Sequence, residues 1–598
     1  MPKSITHNGY ILPSSNANGK RYQTSKESKR CCNRRSILCC SSVFCTPILI
    51  LVGLLLALVF NAFMIVDPFE LNTSIIQETG GLPSYVQPSN DVRYDRAKRL
   101  SEALKYKTVS YGENDSETGE ILEFHSFLQK SFPLLYDSPH VTVERVHTYS
   151  LLYRIEGKDP IGIKYPYLLC GHLDVVPEGK NSWSHPPFEG YIGPGSELDD
   201  EGDEDYVWGR GALDNKNAVM GIMEALNLAL AEGNRPKRTV YIAFGHDEEV
   251  GGRRGAKYIS KRLKELLESN GESLHFILDE GTLILDKFFS AIERPFAYIS
   301  VMEKGMLDLE LKVEGNQTHS SFPPYETPIG ILSEAMSNLE YNEQPARFGN
   351  GIEEEMVNYL RPHSSFVGKL ILGNLWLFRP LISYIASLNP TTDALQRTTT
   401  ALTKFDAGVK NNVIPGVAKA IVNHRIYQGE DLETVLQRDI DTISNERVTI
   451  NVLHHVDPSP VSEYGNDHVP FQILANAVKS VYPETLITPG PMVGATDSRH
   501  YLDLTNSIYR FSPFIVTSKE FTRIHGIDER ISVKNYNKQI EFYYTLMDFA
   551  DRTLNATVEA ETVTEEIPIQ ENRNVTSSSV ECLEDEEGCK DYELTENE

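Results

Sequence analysis

YPYLLCGHLDVVP (residues 165–177) decides how the rest of the chain is read. Its first six residues are a short apolar run rich in β-formers, and the run breaks at Gly171 and Pro177. Two runs of the same kind follow, TVYIAF (239–244) and LHFILD (274–279). Between the first two, NAVMGIMEALNLALAEG (217–233) has apolar residues at helical spacing and stops at Gly233. Strands alternating with helices predict an α/β fold on a mostly parallel mixed sheet. In such sheets ligands collect at the carboxyl ends of strands.

Near residue 297 the texture changes. AYISVMEKGMLDLELKVEG (297–315) has two alternating runs around a glycine and reads as an antiparallel hairpin. Strand patterns return at AKAIVNHRIY (418–427) and RVTINVLHH (447–455). We therefore expect an inserted α+β domain at 297–456, between two parts of one α/β domain at 93–296 and 457–553. KLILGNLWLFRPLISYIASL (369–388) is long, apolar and interrupted by Pro380. It reads as buried helices, or as an apolar surface near the substrate. A second membrane span there would separate residues that have to meet.

PILILVGLLLALVFNAFMIV (47–66) holds one strongly polar residue, Asn61. At ~1.5 Å per residue it spans ~30 Å, a bilayer core. The expectation is an N-terminal transmembrane helix at 46–66, acting as an uncleaved signal-anchor after a disordered tail at 1–45. Lys20, Arg21, Lys26, Lys29, Arg30, Arg34 and Arg35 precede the run, and Asp67 and Glu70 follow it. That charge bias puts the N-terminus in the cytosol. A stalk at 67–92 then leads to a single-pass type II ectodomain, extracellular or in a vacuolar or lysosomal lumen. Cys31, Cys32, Cys39, Cys40 and Cys45 crowd the cytosolic side, where thiols can be palmitoylated. Sequons at Asn72, Asn114, Asn316, Asn555 and Asn574 agree with the orientation. Cys582 and Cys589 are candidates for a disulfide, and Cys170 reads as a buried thiol.

The 598-residue chain has 57 Lys+Arg against 84 Asp+Glu, a net charge of −27. A surface this acidic argues against nucleic-acid partners. The acidic segment 554–598 has the composition of a solvated tail.

Chemistry-bearing residues cluster in short segments at expected strand ends. CGHLDVVP carries His172 and Asp174, WGRGALDNK carries Asp214, and FGHDEEVGG carries Asp247, Glu248 and Glu249. ILDEG adds Asp279 and Glu280, and RIHGIDE adds His525. Imidazoles and carboxylates are the donor set of a catalytic zinc site, and two His with three carboxylates suit two ions ~3.5–4 Å apart. Asp174 suits the acceptor that fixes the His172 tautomer. Of adjacent Glu248 and Glu249, one can bind metal while the other acts as general base.

In this order, GHLDVVP, WGRGALDNK, HDEEVGG, LDEG, GATDSRHY and RIHGIDE resemble the zinc-dependent exopeptidase and aminoacylase family, over about 95–553. The stretches 397–415 and 496–514 resemble its branches that act on N-fatty-acyl amino acids and that include carboxypeptidase S. The resemblance implies two Zn²⁺ per chain: His172, Asp214 and Glu280 on one, and Asp214 (bridging), Glu249 and His525 on the other. Glu280 is preferred to Asp279. It implies Glu248 as general base and Asp174 as orienter. The inserted domain becomes a lid and dimerisation domain, and His319 of GNQTHSSFPP a group that reaches a partner subunit's active site in a homodimer. Asn412 and Arg425 resemble the groups that grip a substrate carboxylate. The implied activity is cleavage, and reverse formation, of the amide bond of N-acyl amino acids with a fatty acyl chain. A carboxypeptidase S-like release of C-terminal amino acids from short peptides is the alternative. An inactive receptor or scaffold would lack a ligand or the base, and none is missing. Asn215 stands where the family more often has a second Asp, Asn423 where an Asp is frequent, and ELDDEGDED (197–205) reads as a surface insert.

Overall fold

The computed structural model describes residues 34–74, 87–112, 115–116, 118–195 and 204–555. The tail residues 1–33 and 556–598, residues 75–86 of the expected stalk, most of the acidic insert, Asn114, Asn574, Cys582 and Cys589 lie outside them. The chain divides into two compact units at Phe60–Asn61. The first holds most of α1 (Arg34–Phe63), whose stretch Leu49–Phe63 is a shorter apolar helix. Among the described residues no single helix is long and apolar enough to cross a membrane.

The second unit opens with β1 (Val141–Val146), β2 (Ser150–Ile155), β3 (Tyr167–His172), α2 (Lys216–Ala231), β4 (Val240–Gly245) and α3 (Ala256–Asn270). β5 (Phe276–Asp286) and β6 (Phe296–Glu303) follow. The chain then leaves for β7 (Gly305–Glu314), α4 (Pro328–Tyr341), α5 (Ile352–Leu360), α6 (Phe366–Leu372) and α7 (Leu375–Ala386). Next come β8 (Thr399–Ala407), β9 (Val417–Ile426), α8 (Leu432–Ile443) and β10 (Val448–Val456). It returns through α9 (Val469–Val481), β11 (Leu486–Met492), β12 (Ile508–Thr517) and α10 (Val533–Arg552).

Eight strands form one sheet in the order β11-β6-β12-β5-β3-β4-β2-β1. The pairs β11/β6, β12/β5, β5/β3 and β3/β4 are parallel, and the other three neighbours are antiparallel. The mixed α/β sheet expected from the three apolar runs is present. Each run is a strand within two residues of its predicted start, because each is buried throughout the centre of the sheet. A second sheet, β8-β9-β7-β10, is antiparallel and has its own core with α4 and α8.

The expected hairpin at 297–315 does not form. β6 pairs only within the large sheet and β7 only within the small one, with Lys304 between them. The reason lies in burial. Every residue of β6 is buried, whereas β7 alternates buried and half-buried positions along its length.

Two other segments bear on the site's surroundings. Residues 67–74 lie along α9: the Glu70 amide donates to Asn466 Oδ1 at 2.8 Å, the Asn72 amide to Gln472 Oε1 at 2.9 Å, and Phe69 meets Phe471 edge-on. The 369–388 segment takes the second of its two readings, the apolar surface and not the buried helices. It is the helix pair α6–α7, bent by 107°, with Trp376 64% and Leu388 67% exposed. A helix apolar on all sides has only one side to bury against the body of the protein.

α2 and α10 pack together beneath the sheet, and this contact fixes where α2 starts and so where the Asp214 loop sits. A Cβ at Gly221 of α2 would lie 3.4 Å from the Tyr543 ring and 3.5 Å from Gln539. Gly221→Leu therefore overpacks the contact and destabilises the protein by about 1–3 kcal/mol in chemical denaturation. An unchanged midpoint would mean that the helices are not in tight contact there.

Candidate metal centre

Five separated segments deliver acids and imidazoles to one place. His172 is the last residue of β3, whose register sets it opposite Gly245. Just past β4 the chain turns through a short 3-10 helix, Glu248–Val250, and leaves it at Gly251 with φ +108°. Asp247 closes this loop by accepting from the amides of Gly255 (2.7 Å) and Arg254 (2.8 Å). At Gly252 (φ +65°) a Cβ would fall 2.1 Å from Asp497 Oδ1, so only glycine fits. Asp214 precedes α2, and the Asp214–Asn215 peptide is cis. Glu280 lies within β5, and His525 sits on the loop after β12 with φ +58°.

The distances are those of donors around shared ions. His172 Nε2 is 2.9 Å from Asp214 Oδ1 and 3.2 Å from Glu280 Oε1. His525 Nε2 is 2.9 Å from Asp214 Oδ2 and 3.1 Å from Glu249 Oε2. Donors ~2.0–2.1 Å from a tetrahedral ion lie ~3.3 Å from one another, so the two edges fit two ions that share Asp214. Glu248, with His172 and Glu280, completes a second set of donor atoms within 4.8 Å of each other. Glu249 Oε1 is buried without a hydrogen-bond partner, an open acceptor of the kind a cation satisfies.

Asp174 does two things. Its backbone carbonyl is 2.9 Å from His172 Nδ1 and its carboxylate Oδ1 3.3 Å away. The same carboxylate accepts from the amides of Glu248 (3.1 Å) and Glu249 (3.2 Å) and from Ser110 Oγ (2.8 Å). It therefore orients the imidazole and also holds the turn that carries both glutamates.

The electrostatics follow from crowding. Burial pushes Glu280 up to about 8, with Asp214 adding to it while His172 opposes. Burial also raises Glu248 well above the ordinary carboxylate range, with Glu280 and Asp497 adding to it against His172. Hydrogen bonds to Asp214 and Glu249 push His525 up to about 10. Burial works against ionising Asp214, but hydrogen bonds with His172 and His525 outweigh it and hold that carboxyl below its usual range.

Asp279 lies in the same strand as Glu280 and does not face the cluster; its Oδ1 accepts from the Glu280 amide at 2.9 Å. Arg425, on β9, is close enough to Arg499 and Glu248 for their charges to act on it, and burial lowers its pKa. His319 and Asn412 lie elsewhere, exposed around a short ladder of Thr318–His319 with Val413–Ile414. Neither lines the cavity beside the cluster.

Three residues have roles that the sequence reading did not assign. Asn215 donates to Glu280 Oε2 at 2.6 Å and accepts from the His172 amide at 3.4 Å, so it ties two ligand segments together. Glu529 accepts from the amides of Leu213 (2.7 Å) and Asp214 (3.2 Å) and from Arg210 Nη1 (2.7 Å). Arg499 Nη2 approaches Glu248 Oε1 at 3.6 Å. All three stand inside the quoted motifs, so position in a motif was the available signal.

Residues 168–548 match the model of peptidase family M20/M25/M40, and the chain belongs to that family. It is an enzyme of the metallopeptidase class. It is 42% identical over 466 residues to the N-fatty-acyl-amino acid synthase/hydrolase PM20D1 of Mus musculus, covering 78% of this chain and 90% of that protein. It is 30% identical to carboxypeptidase S of Saccharomyces cerevisiae over 77% of this chain and 86% of that one. The M20 metallo-carboxypeptidase Sso-CP2 of Sulfolobus solfataricus superposes with a TM-score of 0.54 at 18% identity, over 76% of this chain and 99% of that one. Human carnosine dipeptidase 1 gives 0.54 at 14% identity, over 82% and 100%. These two structures share the fold.

Asp174→Ala weakens metal affinity about 10–100-fold, read by competition with a chromophoric chelator; unaltered affinity would remove Asp174 from its orienting role. Chelation of the native protein lowers its Tm, and metal at a thousandfold excess over Kd restores about 4 kcal/mol. A Tm indifferent to chelator would mean the cluster holds no ion.

Proposed function

We propose that the protein is a dizinc amidohydrolase of N-fatty-acyl amino acids, able to run the same reaction in reverse. The observation that carries this is the 42% identity to a named N-fatty-acyl-amino acid synthase/hydrolase across 90% of its length. The convergence of His172, Asp214, Glu249, Glu280 and His525 supports it.

His172, Asp214 and Glu280 would hold one Zn²⁺, and Asp214, Glu249 and His525 the other. When bound, the pair supplies Lewis-acid polarisation of the amide carbonyl and acidifies the attacking water. Glu248 takes the proton of that water, and burial makes its carboxylate the stronger base for it. The water oxygen adds to the carbonyl carbon, the C–N bond breaks, and Glu248 returns the proton to the amine. The products are a carboxylic acid and an amino acid. Arg425 grips the free carboxylate of the amino-acid half through its planar fork, and Asn412, exposed beside His319, would donate to that carboxylate in the site of a second copy. His319, exposed and on the inserted domain, serves the site of a second copy in a homodimer.

The anchor belongs to this reading. The apolar run 47–66 holds the chain in a bilayer with the basic residues on the cytosolic side, so the site faces the exterior or a vacuole-like lumen. A peptidase reading is favoured by the 30% identity to yeast carboxypeptidase S. N-oleoyl-phenylalanine against a blocked dipeptide separates the two: faster turnover of the dipeptide overturns the proposal.

Glu248→Gln keeps two zincs per chain and loses about 10²–10⁴-fold in kcat. Loss of zinc in that variant would make Glu248 a ligand rather than the base.

A further inference from the structure

Two neighbouring cavities share part of their lining in this protein. The first, about 340 Å³, has Glu248, Glu249 and His525 at one end and apolar walls beyond. The second, about 700 Å³, lies under α6 and α7 and is lined by Val367, Ile371, Ile382 and Ile385. Phe288, Phe289, Met356 and Leu395 belong to the walls of both. Four apolar side chains therefore form the boundary between the space beside the metal centre and a larger apolar chamber. Volumes of this order hold elongated organic ligands.

The roof of that chamber is the exposed helix pair. Beyond Trp376 and Leu388, its outer side exposes Phe366, Leu381 and Tyr384. So large an apolar face marks a surface that is covered in use. What covers it is indicated by its neighbour. Asn61 Nδ2 donates to Asn374 Oδ1 at 2.9 Å, Phe63 meets Phe366 with ring centroids 6.1 Å apart, and a Cβ at Gly373 would lie 2.9 Å from Ile65. Residues 61–65 end an apolar run of bilayer-core length, so the apolar face of the helix pair is in contact with the last residues of that run.

We propose that the two cavities are one acyl channel with its roof in the membrane. This rests on the lipid-substrate reading above. The amide lies at the metal centre, and the fatty chain runs across Phe288, Phe289, Met356 and Leu395 into the chamber under α6–α7. The outer face of the pair lies among lipid tails, and substrate passes sideways from the leaflet into the chamber. Each methylene buried in the channel favours binding about fourfold.

The test uses the full chain in phosphatidylcholine vesicles, with N-oleoyl- and N-butyryl-phenylalanine as substrates. In the wild type kcat/KM rises with chain length. Leu395→Trp fills the boundary between the two cavities, and the oleoyl-to-butyryl ratio of kcat/KM falls at least tenfold. Trp376→Asp with Leu381→Asp charges the outer face without touching the chamber, and the same ratio falls at least fivefold in vesicles. An unchanged ratio in either variant overturns the channel while leaving the amidohydrolase reading intact, as does an equal loss on both substrates. A wild type that cleaves neither N-acyl amino acid but cleaves the blocked dipeptide overturns the amidohydrolase reading, and the channel with it.

Discussion

Asp214 stands between two imidazoles, with one oxygen toward His172 and the other toward His525, each at 2.9 Å. Around it are Glu248, Glu249 and Glu280, so carboxylates outnumber imidazoles in a cluster largely closed to water. Like charges at this spacing cannot all ionise together. Without cations, burial and the neighbouring acids favour the protonated forms of Glu280 and Glu248. With cations the same crowding becomes complementarity. The surroundings exist to keep this arrangement from relaxing: Asp174 holds the glutamate turn, Asn215 spans from His172 to Glu280, and Glu529 fixes the backbone of Asp214.

The large sheet was legible because its central strands are buried on both faces, and burial on both faces leaves an unbroken apolar run. The same signal misled at 297–315. β6 is such a run, but the alternation of β7 begins two residues after it and imposed its period on the reading. Local sequence reports which faces are wet, not which strand lies alongside. Two strands joined through Lys304 look like a hairpin until their partners, far along the chain, are known. The 369–388 segment left two readings open for a related reason: apolar composition does not say whether the thing on the other side is protein.

Within the cluster, His172, Asp214, Glu249, Glu280 and His525 were legible because each sits in a punctuated motif at a strand end. Asn215 was not, because its two partners are 43 and 65 residues away and its substitution for an acid looked neutral. Arg499 was hidden by its distance in sequence from Glu248. His319 and Asn412 were read from resemblance alone, and one chain does not bring them to the cluster.

Residues 67–74 have a mechanical consequence. Because Glu70 and Asn72 are stitched to α9, no slack remains between the end of the apolar run and the body of the enzyme. On the reading proposed here, residues 67–74 belong to the body itself and are not a free tether. The enzyme's turnover then follows the crowding of substrate within a two-dimensional sheet of lipid, its mole fraction there, and not its molarity in the surrounding water.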